Sequence, residues 1–193
     1  MTDLPLDPIA IDVGHLVQRT VASLYSHLVT RQTGRAVRMA IETQLAELGE
    51  RSLSLIDLSE VTVLDFSCAD EVVAKLLQRY SGEDPTQAYF VFRGVHEPHR
   101  DQIEWVLHRQ GLAAVAEVDP GRFDLLGDRS EPQEAAWRVL EERGLIGREE
   151  VGDLLPDAEQ RHALDELVQR RLAFVSPITG RYHALSRLVA HLM

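Results

Sequence analysis

The chain has one cysteine in 193 residues, Cys68, which excludes an intramolecular disulfide and any zinc site built on several thiolates. A reducing, cytoplasmic setting is the expectation. Lysine is as scarce: Lys75 is the only one, so nearly all positive charge is arginine. Basic residues are outnumbered, 20 against 31 acids. The resulting formal net charge of -11 argues against a nucleic-acid coat or membrane-surface binder and for a protein-facing role. No apolar run approaches the ~18 residues of a spanning helix. The first dozen residues are acidic and broken by prolines, so neither a secretory signal nor a membrane anchor is expected. Repeats and low-complexity tracts are also missing. What is present is core material: 45% hydrophobic residues, enough for one large domain or two small ones.

The stretch SLSLIDLSEVTVLDFSCADEVVAKLLQRY, residues 52 to 80, organises the rest. Leu53, Leu55, Ile56 and Leu58 form a short apolar run bounded by polar residues, the pattern of a strand covered on both sides, with Asp57 interrupting it. Beyond Leu64 the period changes to helical. Val72, Val73, Leu76, Leu77 and Tyr80 share one face, Glu71 and Lys75 pair across a turn of the other, and Ser67 stands where the helix should begin. Before this stretch, residues 8 to 30 read as a strand pair whose second half also suits a helix. Thr33 and Gly34 then open a helix carried by Val37, Ile41, Leu45 and Leu48, with Gly49 as its stop. After it, the spacing predicts a strand at 89–92, a helix from Pro98 to Gly111, and strands at 113–118 and 123–126 around an Asp-Pro-Gly turn. This order implies an α/β fold, a mixed sheet with helices packed against it, over residues 1 to 127.

Composition breaks at 127–131. Ser130 and Gln133 have capping-box spacing with Pro132 in the first turn, and the helix runs to Gly144. A short helix near Val151 follows, then a third that Asp157 and Gln160 can cap, then a hairpin, LAFV and RYHAL about the turn SPITG. Three helices and a hairpin over 131 to 193 describe a small α+β winged-helix-like domain.

LSLIDLSEVTVLDFSCADEVVAKLL, residues 53 to 77, resembles the STAS domain of sulfate-transporter tails and anti-sigma-factor antagonists. In that family a strand ending in aspartate is followed by a short hydrophobic link and an Asp-Ser-Ser-Gly type motif that opens a helix. Asp57 matches the strand-end aspartate, and Asp65, Phe66 and Ser67 lie over Asp-Ser-Ser. Phe66 thus replaces the first serine, and Cys68 stands where glycine is usual. The resemblance implies a partner-switching protein whose partner is an anti-sigma or serine-kinase type protein and whose phosphorylated serine is Ser67. Its partner surface would take in Asp57, Asp65, Phe66, Ser67, Cys68, Asp70, Glu71 and Lys75.

Two readings of Ser67 stand side by side. As a helix cap its hydroxyl satisfies a backbone N–H, typically worth ~1 kcal/mol, with Asp70 as its pair. As a switch it takes a phosphate of roughly -1.5 to -2 charges, which the helix dipole tolerates and an acidic partner does not. Asp57 and Asp65 read as turn and cap groups rather than an acid/base pair, Cys68 as a buried small side chain, and His96 and His99 as loop residues without a third ligand. No nucleophile, base and orienter converge, so neither an enzyme nor a cofactor or metal is expected.

The alternative is a DNA-binding regulator with a STAS-like sensory domain. Residues 131 to 193 carry 8 Arg against 11 acids, but from 160 onward the balance is five Arg (Arg161, Arg170, Arg171, Arg181, Arg187) against Asp165 and Glu166. A basic third helix and wing are what phosphate contact needs.

Overall fold

The structure, a computed structural model, describes residues 7–12, 27–48, 51–81 and 87–190. In chain order its first strands are β1 (Asp7–Asp12), β2 (His27–Leu28), β3 (Arg51–Asp57), β4 (Val63–Leu64), β5 (Gln87–Arg93), β6 (Ala113–Asp119) and β7 (Arg122–Gly127). Five of them form the central sheet, in the order β1-β3-β5-β6-β7. β1, β3, β5 and β6 run parallel, and β7 returns antiparallel beside β6. The expected mixed sheet is therefore present. β2 and β4 make a separate two-residue parallel ladder, His27 opposite Val63 and Leu28 opposite Leu64.

Alternation along the strands divides the sheet into two buried faces. On one side Ile56, Ala88, Phe90, Phe92, Ala114, Ala116 and Leu126 join a core with the helices α1 (Arg31–Leu45), α2 (66–80) and α3 (His99–Arg109). Helix α2 is continuous but not uniform: Phe66–Ala69 is α-helical, Asp70–Ala74 is a π-helical turn, and Lys75–Tyr80 is α-helical again. On the other side Leu53, Leu55, Tyr89, Val91, Ala113, Val115 and Leu125 face the C-terminal segment. β3 is buried on both faces, so the serines that alternate with Leu53 and Leu55, Ser52 and Ser54, are themselves buried rather than turned to solvent.

That second cover consists of α4 (Glu131–Arg143), β8 (Leu145–Ile146), α5 (Val151–Leu154), α6 (Ala158–Gln169), β9 (Ala173–Val175), β10 (Tyr182–Ala184) and α7 (Leu185–Val189). Its three strands form an antiparallel sheet in the order β8-β10-β9. Ser130 and Gln133 make the full capping box on α4, and Gly144 closes that helix in the left-handed conformation at φ 74. Trp137 and Leu140 of α4, Leu164 and Leu167 of α6, Phe174 of β9 and Leu188 of α7 share one core with the sheet. Tyr89 of β5 meets Phe174 edge to face at 5.6 Å. The chain turns at Gly127 to Ser130, but the apolar packing runs on across that turn.

Several boundaries differ from expectation. Helix α1 starts at Arg31, two residues before Thr33, because Thr30 is its cap: the Thr30 hydroxyl accepts the Thr33 N–H at 3.1 Å. Asp157 occupies the cap position of α6 but makes no side-chain cap bond; Arg161 instead donates to the Leu155 carbonyl at 2.9 Å and to that of Pro156. The short β8 and α7 carry too few residues to show a period, and the sequence reading passes over both. Most of the early strand-pair region (13–26), the stop at Gly49 and the loop at 82–86 lie outside the described residues.

Because one core joins the C-terminal segment to the sheet, damage on one side is expected to loosen the other. Trp137→Ala should cost ~3–5 kcal/mol in denaturant unfolding and speed amide exchange in β3 and β5. Unchanged exchange in those strands would show that the two parts are held separately.

Candidate functional site

Helix α2 begins one residue after β4, and that residue, Asp65, sets its start. The Asp65 carboxylate accepts the Cys68 N–H at 2.8 Å, and its extended backbone ends the preceding segment. Ser67 is therefore not the cap. It sits in the first turn and donates its hydroxyl back to Asp65, 2.9 Å to Oδ1 and 3.1 Å to Oδ2. Asp70 makes no capping pair with it; Asp70 faces Arg31 at 2.7 Å. Asp57, at the end of β3, accepts the Ser59 N–H at 2.9 Å, a turn role as expected.

The seam between α1 and α2 holds a network of ion pairs around a buried carboxylate. Gly34 lets the two helices approach so closely that a Cβ there would lie 2.9 Å from the Cys68 Cα. Directly alongside, Glu71 is 2% exposed and pairs with three cations: Arg31 at 2.9 Å, Arg38 at 3.3 Å, and Lys75 one turn on. Burial by itself would raise the Glu71 pKa. Hydrogen bonds from Lys75 and Arg31 outweigh it and hold the carboxyl below the ordinary range. Cys68 lies fully buried in the same seam, its thiol donating to the Thr30 carbonyl at 2.8 Å. Burial, with Asp65 beside it, pushes that thiol up to about 12, so it stays protonated at neutral pH.

These placements correct the expected partner surface. Cys68 and Glu71 are inside, covered by α1, and present nothing to a partner. Phe66, Ser67, Asp70 and Lys75 remain accessible to different degrees, with Asp65 partly covered. What the sequence reading missed is the neighbour from α3. Trp105 meets Phe66 edge to face at 5.1 Å, each ring is 49% exposed, and the Arg109 guanidinium lies over Trp105 at 5.2 Å. A groove of about 340 Å³ runs between them, bounded by Arg31, Ser67, Asp70 and Gln110. Val29, which follows β2, and Val63, which lies in β4, are also exposed. Trp105 carries a signal that was available: a tryptophan outside the Ile103, Val106, Leu107 face of an amphipathic helix is unexplained by the core.

The arginines proposed for DNA are mostly committed within the chain. Arg161 binds the two carbonyls named above, Arg170 donates to Gln133 Oε1 at 2.8 Å and to the Asp128 carbonyl at 2.7 Å, and Arg171 donates to the Tyr80 carbonyl. Arg181 and Arg187 are exposed. The outer face of α6 shows Glu159, His162 and Asp165, an acidic rather than basic surface. His99 is buried at the start of α3 rather than in a loop, 5.3 Å between ring centres from exposed His96, and burial holds its pKa below the usual value. No group of three or more potential metal ligands occurs among the described residues.

No family model, curated protein or solved structure matches the chain.

The buried Glu71 cluster has a pH signature. Its folded pKa is depressed, so its contribution to stability is complete above the unfolded value of about 4.3 and is lost as pH falls through the lower folded value. Glu71→Gln should cost about 1.5–3 kcal/mol at pH 7, since it removes charge-assisted hydrogen bonds from a buried carboxylate, while Arg31, Arg38 and Lys75 keep Asp70 and Glu42 as second partners. The gap from wild type should close as urea titrations move below about pH 4. A gap independent of pH would contradict the assignment.

Proposed function

We propose that the protein is a non-enzymatic regulator that acts by binding another protein, through the face around Phe66 and Trp105. The carrying observation is that patch: two half-exposed aromatic rings in contact, with an arginine over one of them, beside a helix start. Isolated exposed apolar residues need no explanation, but aromatic and arginine side chains gathered around a groove have the make-up of interface anchors. The 53–77 stretch points the same way. Its strand ends at Asp57, its helix opens on the Asp65, Phe66, Ser67 motif, and α1 and α3 flank that helix on one face of the sheet, an arrangement in keeping with a STAS-type antagonist and a partner of the anti-sigma or serine-kinase type.

Phosphorylation of Ser67 is the gating step of this reading, and the hydrogen bonds say what it does. The phosphate removes the proton that Ser67 gives to Asp65 and sets a charge of roughly -1.5 to -2 next to that carboxylate. Asp65 is then driven from the Cys68 N–H, a cap worth ~1 kcal/mol. The helix start that presents Phe66 shifts as a result, while Arg31 and Arg109 on the groove offer the new charge partial compensation.

The order α4-β8-α5-α6 followed by the β9–β10 hairpin supports the winged-helix reading of the C-terminal segment. Its acidic α6 and internally bound arginines favour a packing and protein-contact role for it over DNA binding. A cytoplasmic location goes with this reading.

The test is incubation with anti-sigma-type serine kinases, followed by calorimetry and mass spectrometry. Binding should fall at least tenfold when Phe66→Ala and Trp105→Ala are combined, and phosphate should appear on Ser67. Salt-sensitive binding to duplex DNA, abolished by Arg181→Glu, would replace this reading with the DNA one.

A further inference from the structure

At the other end of α2, about 20 Å from the aromatic patch by helical rise, the helical layer leaves a gap. Leu77 and Tyr80 of α2 stand on one side and Leu112 on the other, and the sheet floor beneath is made of Ala88, Phe90 and Ala114. Small side chains at the start of β5 and β6 leave this space unfilled, and the cavity measures about 250 Å³. That is the volume of roughly eight liquid waters, room for one ring and a short tail but not for a nucleotide. Tyr80 and Phe90 form an aromatic wall, their ring centres 5.6 Å apart.

The α6–β9 turn closes the mouth with Gln169, Arg170 and Arg171. The two arginines reach opposite walls: Arg171 to the Tyr80 carbonyl at the end of α2, Arg170 to Asp128, whose own N–H binds the Leu112 carbonyl at 2.7 Å. Arg170 hydrogen-bonds neutral oxygens, and no carboxylate among the described residues forms an ion pair with it. An apolar chamber with an aromatic wall and cationic rim, on a protein of net charge -11, is selective in its chemistry. We propose that this cavity is a binding site for a small aromatic monocarboxylate, its ring against Tyr80 and Phe90 and its carboxylate at Arg170, whose present partners are neutral oxygens.

Because one wall belongs to the α6–β9 turn and the other to the sheet layer, an occupant would bridge the two parts of the chain. Binding there is independent of the partner face, since the two lie at opposite ends of α2.

The experiment is a thermal-shift titration of the full chain with benzoate and phenylacetate, with benzamide and benzylamine as neutral and cationic counterparts. The carboxylates should raise Tm saturably and the counterparts should not. Ala114→Leu, which fills the floor, should remove the shift while keeping a cooperative transition, and Arg170→Gln should weaken apparent affinity at least tenfold. If Ala114→Leu does not fold, Ala88→Leu takes its place. No saturable shift with either carboxylate, an equal shift with benzylamine, or a shift that survives filling of the cavity would overturn the proposal.

Discussion

The constraint on which the helical layer depends is the buried Glu71 carboxylate. A charge that is 2% exposed is costly unless it is compensated, and here Arg31, Arg38 and Lys75 compensate it from two helices. Those bonds fix α1 against α2 at the one place where Gly34 permits close approach. With the seam fixed, Cys68 is sealed beneath it and the first turn of α2 is left facing outward. The wider π turn begins right there, at Asp70, and such turns inside α-helices recur at functional sites. Asp65 completes the arrangement by capping the helix and holding the Ser67 hydroxyl, so the position of Phe66 on the surface follows from charges and a cap rather than from a loop.

The sheet links this face to the rest of the chain. Both of its faces are covered, one by α1, α2 and α3 and the other by the C-terminal segment, and the second cover is continuous with the core. Arginines that look like a phosphate-binding set in the sequence serve cohesion instead. Arg161 ties the turn before α6, Arg170 joins that helix's end to Asp128 and Gln133, and Arg171 reaches α2. A regional charge of +3 over 160–193 therefore does not amount to a continuous basic surface, because three of the five arginines are bound within the chain and only Arg181 and Arg187 are exposed.

Much of the fold is legible in the sequence because local signals agree with it. The covered strand at 53–57, the Pro98 to Gly111 helix, the Asp-Pro-Gly turn and the capping box at Ser130 each rest on chemistry confined to a few residues. The candidate site is less legible for the opposite reason. Helical spacing puts Glu71 and Lys75 on the polar face of α2, but whether another helix covers that face is not a property of the helix itself. The sequence offers both Asp65 and Ser67 as cap groups, both being good cap residues, and the bond from the Cys68 N–H to the Asp65 carboxylate decides that Asp65 serves. Trp105 lies 39 positions from Phe66, and only the tertiary fold brings the two rings into contact.

The central claim is that the Phe66 and Trp105 end of α2 meets a protein. The most direct measurement places a photoreactive phenylalanine analogue at position 66 or, separately, at position 178, where Ile178 stands 70% exposed in the turn between β9 and β10. Irradiation in the cell of origin should give a discrete protein adduct from position 66 that is absent from position 178. Nucleic-acid adducts from position 178, with none to protein from position 66, would contradict the account.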